Sequence, residues 1–196
     1  MRPLLLLDAR QACGPAWARS CLALLLALCW VSGRAADSEL AEYQIKAAFL
    51  CKFGNYVEWP PEARASPATF VIVVMATPAV SDELVLAARG QTVNGRPILV
   101  RRAERVTDVG EDSAIVYIAR SHAGRVAEVL AALKDRPVLT VTELSPDQAA
   151  SGIVNFVVVE DKVKFDISLP AAARSNLRIS ARLLGVARNV VGKAAA

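Results

Sequence analysis

The chain has 196 residues, is 54% hydrophobic and carries a formal net charge of +4. Residues 1–36 hold four arginines and one aspartate, so the remainder carries 19 basic against 18 acidic residues. With a nearly neutral remainder, the overall charge gives no ground for a nucleic-acid or polybasic-membrane reading, and its roughly 160 residues suffice for one domain with its own core.

At the start, Arg2, Arg10 and Arg19 precede an apolar run over 22–31, followed by Ser32-Gly33-Arg34-Ala35-Ala36. A charged lead, a short apolar stretch and small residues at the end read as a secretory signal cut near Ala35 or Ala36. The run is too short for a transmembrane helix. The expected organisation is a signal over 1–36 and a single exported domain over 37–196. Cys13, Cys21 and Cys29 leave with the signal, so Cys51 is the one remaining thiol and has no intramolecular partner. It is expected to be a buried small hydrophobe, the alternative being an intermolecular bond.

A helix is expected over 38–58. Glu42 lies four residues before Lys46 on its outer side, Ile45, Phe49 and Phe53 form its packing face, and Trp59-Pro60 ends it. "FVIVVM" at 70–75 is a continuous apolar run, the pattern of a strand buried on both faces. A helix follows over 81–89, "VNGRP" is a turn, and a second strand covers 98–101. Residues 114–118 ("AIVYI") form the next strand, followed by a helix over 121–133 with Ser121 as its cap and a strand over 138–141. Ser145-Pro146-Asp147-Gln148 has the sequence of a helix start, with Gly152 ending that short helix. "IVNFVVVEDKVKFDISL" reads as a hairpin of 153–159 against 163–169, reversing at 160–162. Two helices, over 170–176 and 178–190, complete the chain. This order predicts a three-layer α/β domain with a mostly parallel sheet, flanking helices and a C-terminal antiparallel hairpin.

Signals for chemistry are sparse. No glycine-rich phosphate or dinucleotide fingerprint occurs, so no cofactor is expected. His122 is the only histidine, and nothing has metal-ligand spacing. Ser121-His122 sits at a strand-to-helix junction but lacks the glycines of a nucleophile elbow. Adjacent residues do not readily make a nucleophile–base contact, so no catalytic residue is assigned. Arg101, Arg102 and Arg105 form one basic group and Arg174, Arg178 and Arg182 another. The second is a stripe if its four-residue spacing is helical throughout. Both are expected to be solvated, the alternative being docking to an acidic protein surface.

"KAAFLCKFGNYVEWP", "VNGRPILVRR" and "GIVNFVVVEDKVKFDISLPAAARSNLRISARLLGVA" together resemble the YfiR family of exported bacterial proteins over about 43–190. That resemblance implies a non-catalytic periplasmic repressor that binds the periplasmic sensor region of an inner-membrane diguanylate cyclase and limits cyclic-di-GMP synthesis. It also implies a homodimer and an outer-membrane lipoprotein partner, with no nucleic acid. Two departures stand out. The family's Phe-Glu-Ile-Asn reads Phe165-Asp166-Ile167-Ser168, with Ser168 keeping a capping oxygen, and paired cysteines are missing. The expected docking residues are Trp59, then Asp161, Lys164 and Asp166 on an exposed hairpin edge open to strand addition, and Arg174 and Arg178. The competing reading is a small-ligand-binding module that feeds another membrane receptor.

Overall fold

The computed structural model describes residues 38–64, 68–145 and 151–192. The chain divides into two compact units, Met1–Leu40 and Ala41–Ala196, and the sheet belongs to the second. The expected signal lies outside the described residues, as do residues 146–150 of the short helix expected between Ser145 and Gly152.

The first helix, α1, covers residues 38–53. Ala47, Leu50, Cys51 and Phe53 are its buried apolar residues, a three- and four-residue rhythm that lays one face on the sheet. This face is rotated from the expected one, because Ile45 is exposed and Phe49 only half-buried. The helix also stops earlier than expected. A Cβ on Gly54 would lie 2.7 Å from Val93 and 2.9 Å from Phe70, so glycine alone lets the chain pass this close. Residues 57–58, expected to be helical, instead form strand β1 (Val57–Glu58), antiparallel to a later strand at Arg178–Ile179. A short helix, α2 (Pro61–Arg64), follows.

The sheet is built from β2 (Phe70–Met75), β3 (Thr92–Val93), β4 (Arg96–Arg102), β5 (Ser113–Ile118), β6 (Leu139–Thr142), β7 (Val154–Val159) and β8 (Lys162–Ser168). The last strands are β9 (Arg178–Ile179), which pairs with β1, and β10 (Asn189–Val191). The eight-stranded order is β10-β8-β7-β6-β5-β2-β4-β3. Five central strands, β4-β2-β5-β6-β7, run parallel, with Ile72 in register with Val100 on one side and Ile115 on the other. Their order of appearance is the doubly wound 2-1-3-4-5, so the chain reverses direction across the sheet between β2 and β5. The antiparallel neighbours are β8 beside β7 and β3 beside β4. The fold is therefore the expected mixed α/β architecture, with a mostly parallel centre and C-terminal antiparallel strands.

Alternate residues of β2 feed two separate cores. Phe70, Ile72 and Val74 join the buried faces of α1 and of α3 (Pro78–Ala88), along with Leu183 from α6 (Ala181–Val186). Val71, Val73 and Met75 meet Val126 and Val129 of α4 (Val126–Ala132) on the opposite face. All six β2 side chains are buried, as a strand covered by helices on both faces requires.

Two turns show why short polar loops suffice. Asn94 and Gly95 between β3 and β4, and Glu160 and Asp161 between β7 and β8, all have positive φ. A two-residue hairpin turn needs this to match the twist of its strands.

The C-terminal segment departs most from expectation. Residues 178–190 form a strand, a helix and a strand rather than one helix. Ile179 pairs with Val57, and the Ser180 side chain accepts from Leu183 N to start α6 afresh. The Arg188 backbone N–H then donates to Phe165 O, drawing the chain back so that Asn189–Val191 pair with Asp166–Ser168. Consequently the expected exposed edge of β8 is covered only in part: β10 forms the outer edge over 166–168, whereas residues 162–165 of β8 have no β10 partner. Before it, Ser168 caps α5 (Leu169–Arg174) by accepting from Ala171 N, as its sequence position implied.

Candidate functional site

In a doubly wound sheet the ligand crevice lies beyond the carboxyl ends of the strands, and here that end carries a compact charged cluster. The Lys46 side chain is 2% exposed and that of Glu143 4%. Lys46 Nζ lies 2.9 Å from Glu143 Oε2 and also donates to Glu42 Oε1. Arg120 Nη2 donates to the same Glu42 oxygen at 2.9 Å and stands 3.7 Å from Glu143 Oε2. The Tyr117 hydroxyl, at the end of β5, donates to Glu143 Oε1. Two cations thus face two carboxylates, and a phenol fills a remaining acceptor site. Burial pushes the Glu143 carboxyl above its ordinary value, and the Lys46 ammonium opposes that shift.

The fold positions each group. Glu143 is the first residue past β6, Arg120 is the second past β5, and Lys46 comes down from α1 above them. The expectation that Lys46 lies on the outer side of α1 is corrected, because the helix turns that lysine onto the strand ends. A buried amide network fixes the next stretch. Asn155 Oδ1 accepts from Thr142 Oγ1 at 2.8 Å and from Leu144 N at 2.9 Å, and its Nδ2 donates to Leu144 O at 3.0 Å. Gly152 N donates to Thr142 Oγ1, and Ile153 N donates to Thr140 Oγ1. A Cβ on Gly152 would sit 2.7 Å from Thr140 O, which explains glycine there by close approach.

Beside the cluster opens a cavity of about 550 Å³, lined among others by Arg120, Glu143, Phe156, Val159 and Arg188. The Arg188 guanidinium is held on its rim by Asp166, with Nε donating to Oδ1 at 2.8 Å.

The expected docking residues are dispersed. Trp59 is 6% exposed and packs edge-on against Phe70 at 5.4 Å, so its ring belongs mainly to the core. Asp161 is exposed at the β7–β8 turn and Lys164 is exposed along β8, whereas Asp166 is engaged by Arg188. Arg174 ends α5, Arg178 lies in β9 opposite Glu58, and Arg182 lies in α6. The three arginines therefore form no helical stripe. In the other basic group, Arg101 makes a bidentate pair with Asp112 at 2.8 Å, Arg102 pairs with Asp82 and Arg105 with Asp108 at 3.4 Å. That group is neutralised locally.

Ser121 does not cap α4. A 3-10 turn over Arg120–Arg125 intervenes, with no side-chain cap. Contrary to expectation, Ser121 Oγ and His122 Nδ1 approach to 3.0 Å, with Glu104 3.6 Å from Nε2. The pair sits on an open turn, and neither residue lines the cavity at the strand ends. Cys51 is buried as expected, and burial raises its thiol to about 11, which leaves it protonated and a poor nucleophile at neutral pH. Among the described residues no three His, Cys, Asp or Glu side chains are placed to hold a metal. No described helix is long and apolar enough to cross a membrane.

Sequence reasoning missed the Lys46–Glu143 cluster and Asn155. Two signals pointed to the cluster and none to Asn155: a lysine directly before the apolar Ala47-Ala48-Phe49-Leu50, and a glutamate just past the strand expected over 138–141.

A crystal structure of a conserved domain protein from Vibrio cholerae is similar at 13% identity with a TM-score of 0.47, over 62% of this chain and 54% of that one. The chain thus spans about half the length of that protein. A protein-family model described as YfiR/HmsC-like matches residues 43–188, nearly the whole described fold from α1 to the start of β10, and the chain belongs to the YfiR/HmsC-like family.

Proposed function

We propose that this protein is a non-catalytic periplasmic regulator that binds the periplasmic sensor region of an inner-membrane diguanylate cyclase and represses cyclic-di-GMP synthesis. The family match over 43–188 carries the reading. Membership supports a periplasmic regulator acting on a membrane receptor, and the cyclase and the repression are the finer step. The charged cluster suits this role, because Lys46, Glu42, Glu143 and Arg120 satisfy one another and act as a clamp between α1 and the strand ends. In this reading residues 1–36 are removed on export and 37–196 act as one domain. The protein works as a homodimer, and an outer-membrane lipoprotein relieves repression by sequestering it. Asp161, Lys164, Arg174 and Arg178 are the proposed contacts, while Trp59 and Asp166 support them from within. Deleting the gene is expected to raise cellular cyclic-di-GMP, and the purified protein to bind the cyclase's periplasmic domain. Unchanged cyclic-di-GMP together with no binding overturns the proposal.

A second reading, a small-ligand module feeding another receptor, is favoured by one observation. The strand-end cavity of about 550 Å³ combines Arg120 and Arg188 with the apolar Phe156 and Val159. A thermal-shift screen of amino acids, nucleotides and aromatic metabolites tests it. A stabilising ligand whose effect is lost in Arg120→Ala supports it, and no shift from any compound rejects it.

A further inference from the structure

Helices α1 and α6 enclose a groove of about 260 Å³ on the outer side of the first core. Its apolar lining is Phe49, Phe53, Tyr56, Leu183 and Val186, with Val186 65% and Tyr56 37% exposed. Ile45, one turn before Phe49 on the same helix, extends the apolar surface and is itself exposed. Lys52 of α1 and Arg182 of α6 complete the lining, and no carboxylate contributes to it. Among the described residues neither cation makes an ion pair. By contrast Arg101, Arg102, Arg120 and Arg188 all do. A partly exposed apolar groove whose only lining charges are two cations suits a partner that is apolar and acidic.

We propose that this groove docks an acidic amphipathic segment of a partner protein. An apolar side chain of that segment seats between Phe49, Tyr56 and Val186, and carboxylates reach Lys52 and Arg182. Helix-in-groove recognition works in this way, with spaced apolar anchors supplying affinity and charge complementarity supplying selectivity. A second copy of this chain fits poorly, since a two-fold pairing of the groove with itself sets a pair of cations facing a pair of cations with no carboxylate between them. The proposal deepens the regulatory reading and rests on it only for the partner's identity.

The test is an NMR titration of the protein with two synthetic helical peptides that share Leu and Phe anchors, one flanked by Glu and the other by Lys. The acidic peptide is expected to bind at least about tenfold more tightly, with shifts centred on Phe49, Tyr56, Leu183 and Val186. Val186→Asp should abolish binding, and Lys52→Glu with Arg182→Glu should reverse the preference. These side chains are exposed, so unchanged melting temperatures should confirm that the variants fold. Equal binding of the two peptides, shifts confined to other surfaces, or a self-association that Val186→Asp dissolves overturns the proposal. Binding of the same variants to the cyclase's periplasmic domain is measured separately. The peptides decide the groove, cyclase binding decides the regulatory reading, and either can fail without the other.

Discussion

Lys46 and Lys52 lie six residues apart on α1 and have opposite surroundings. Lys46 is buried against Glu143 and Glu42, whereas Lys52 is exposed beside an apolar groove. Six residues rotate a helix by about 240°, so the two ammonium groups leave it on different sides. The first belongs to the architecture, because its removal strands a buried carboxylate. The second contributes little to the fold and is free to act on another molecule. Position along the helix and the element each side chain meets separate the two roles.

The sharpest way to break that contrast is to remove Lys46. Lys46→Met leaves Glu143 buried without its nearest cation, and breaking a buried pair from one side costs about 3–5 kcal/mol. Urea denaturation should show this loss, and a Lys46→Met/Glu143→Leu double variant should recover most of it. A destabilisation under about 1 kcal/mol would place Lys46 with the surface lysines. Next in size is Asn155→Ala, which strands Leu144 N–H and O and removes the nearer acceptor of the Thr142 hydroxyl. About 1–3 kcal/mol is expected from the unsatisfied groups, with faster hydrogen exchange at Leu144.

A pH series sharpens the comparison further. Glu143 faces Lys46, Arg120, Glu42 and Tyr117, and burial raises its carboxyl above the ordinary 4.5. An acid that titrates higher in the folded state binds more protons there than in the unfolded chain. Stability from this group is therefore fully present below about 4.5 and is lost as pH rises through the folded value. The melting temperature of Glu143→Gln minus that of the natural protein should climb over that interval. A flat difference would show that Lys46 already cancels the burial. The smallest effect belongs to Lys52→Ala, expected within about 0.5 kcal/mol of the natural protein. A larger loss would make Lys52 structural and remove the contrast.

The parallel centre was legible in the sequence because its strands are nearly continuous apolar runs. Phe70–Met75 and the 114–118 run announced burial on both faces, and the structure extends the latter by one residue to Ser113–Ile118. The hairpin of β7 and β8 was legible from the alternation of Val163, Phe165 and Ile167. The edge beyond it was not. The segment 178–190 has apolar residues at helical spacing, yet Ile179 pairs with Val57 and Asn189–Val191 pair with β8. Those pairings join residues far apart in sequence, and local periodicity carries no information about them.

The same division holds for function. The α/β class, Cys51 as the one cysteine after residue 36, and the motifs that carry family resemblance could be read from the sequence, because composition, apolar runs and short motifs are properties of neighbouring residues. Tertiary structure alone decided that Lys46 is buried, that Trp59 packs on Phe70, that Arg101 and Arg102 are neutralised by Asp112 and Asp82, and that Lys52 and Arg182 share one groove. Whether a charge is spent within the fold or left for a partner depends on which distant residue comes within about 4 Å of it. Only the folded chain determines that distance.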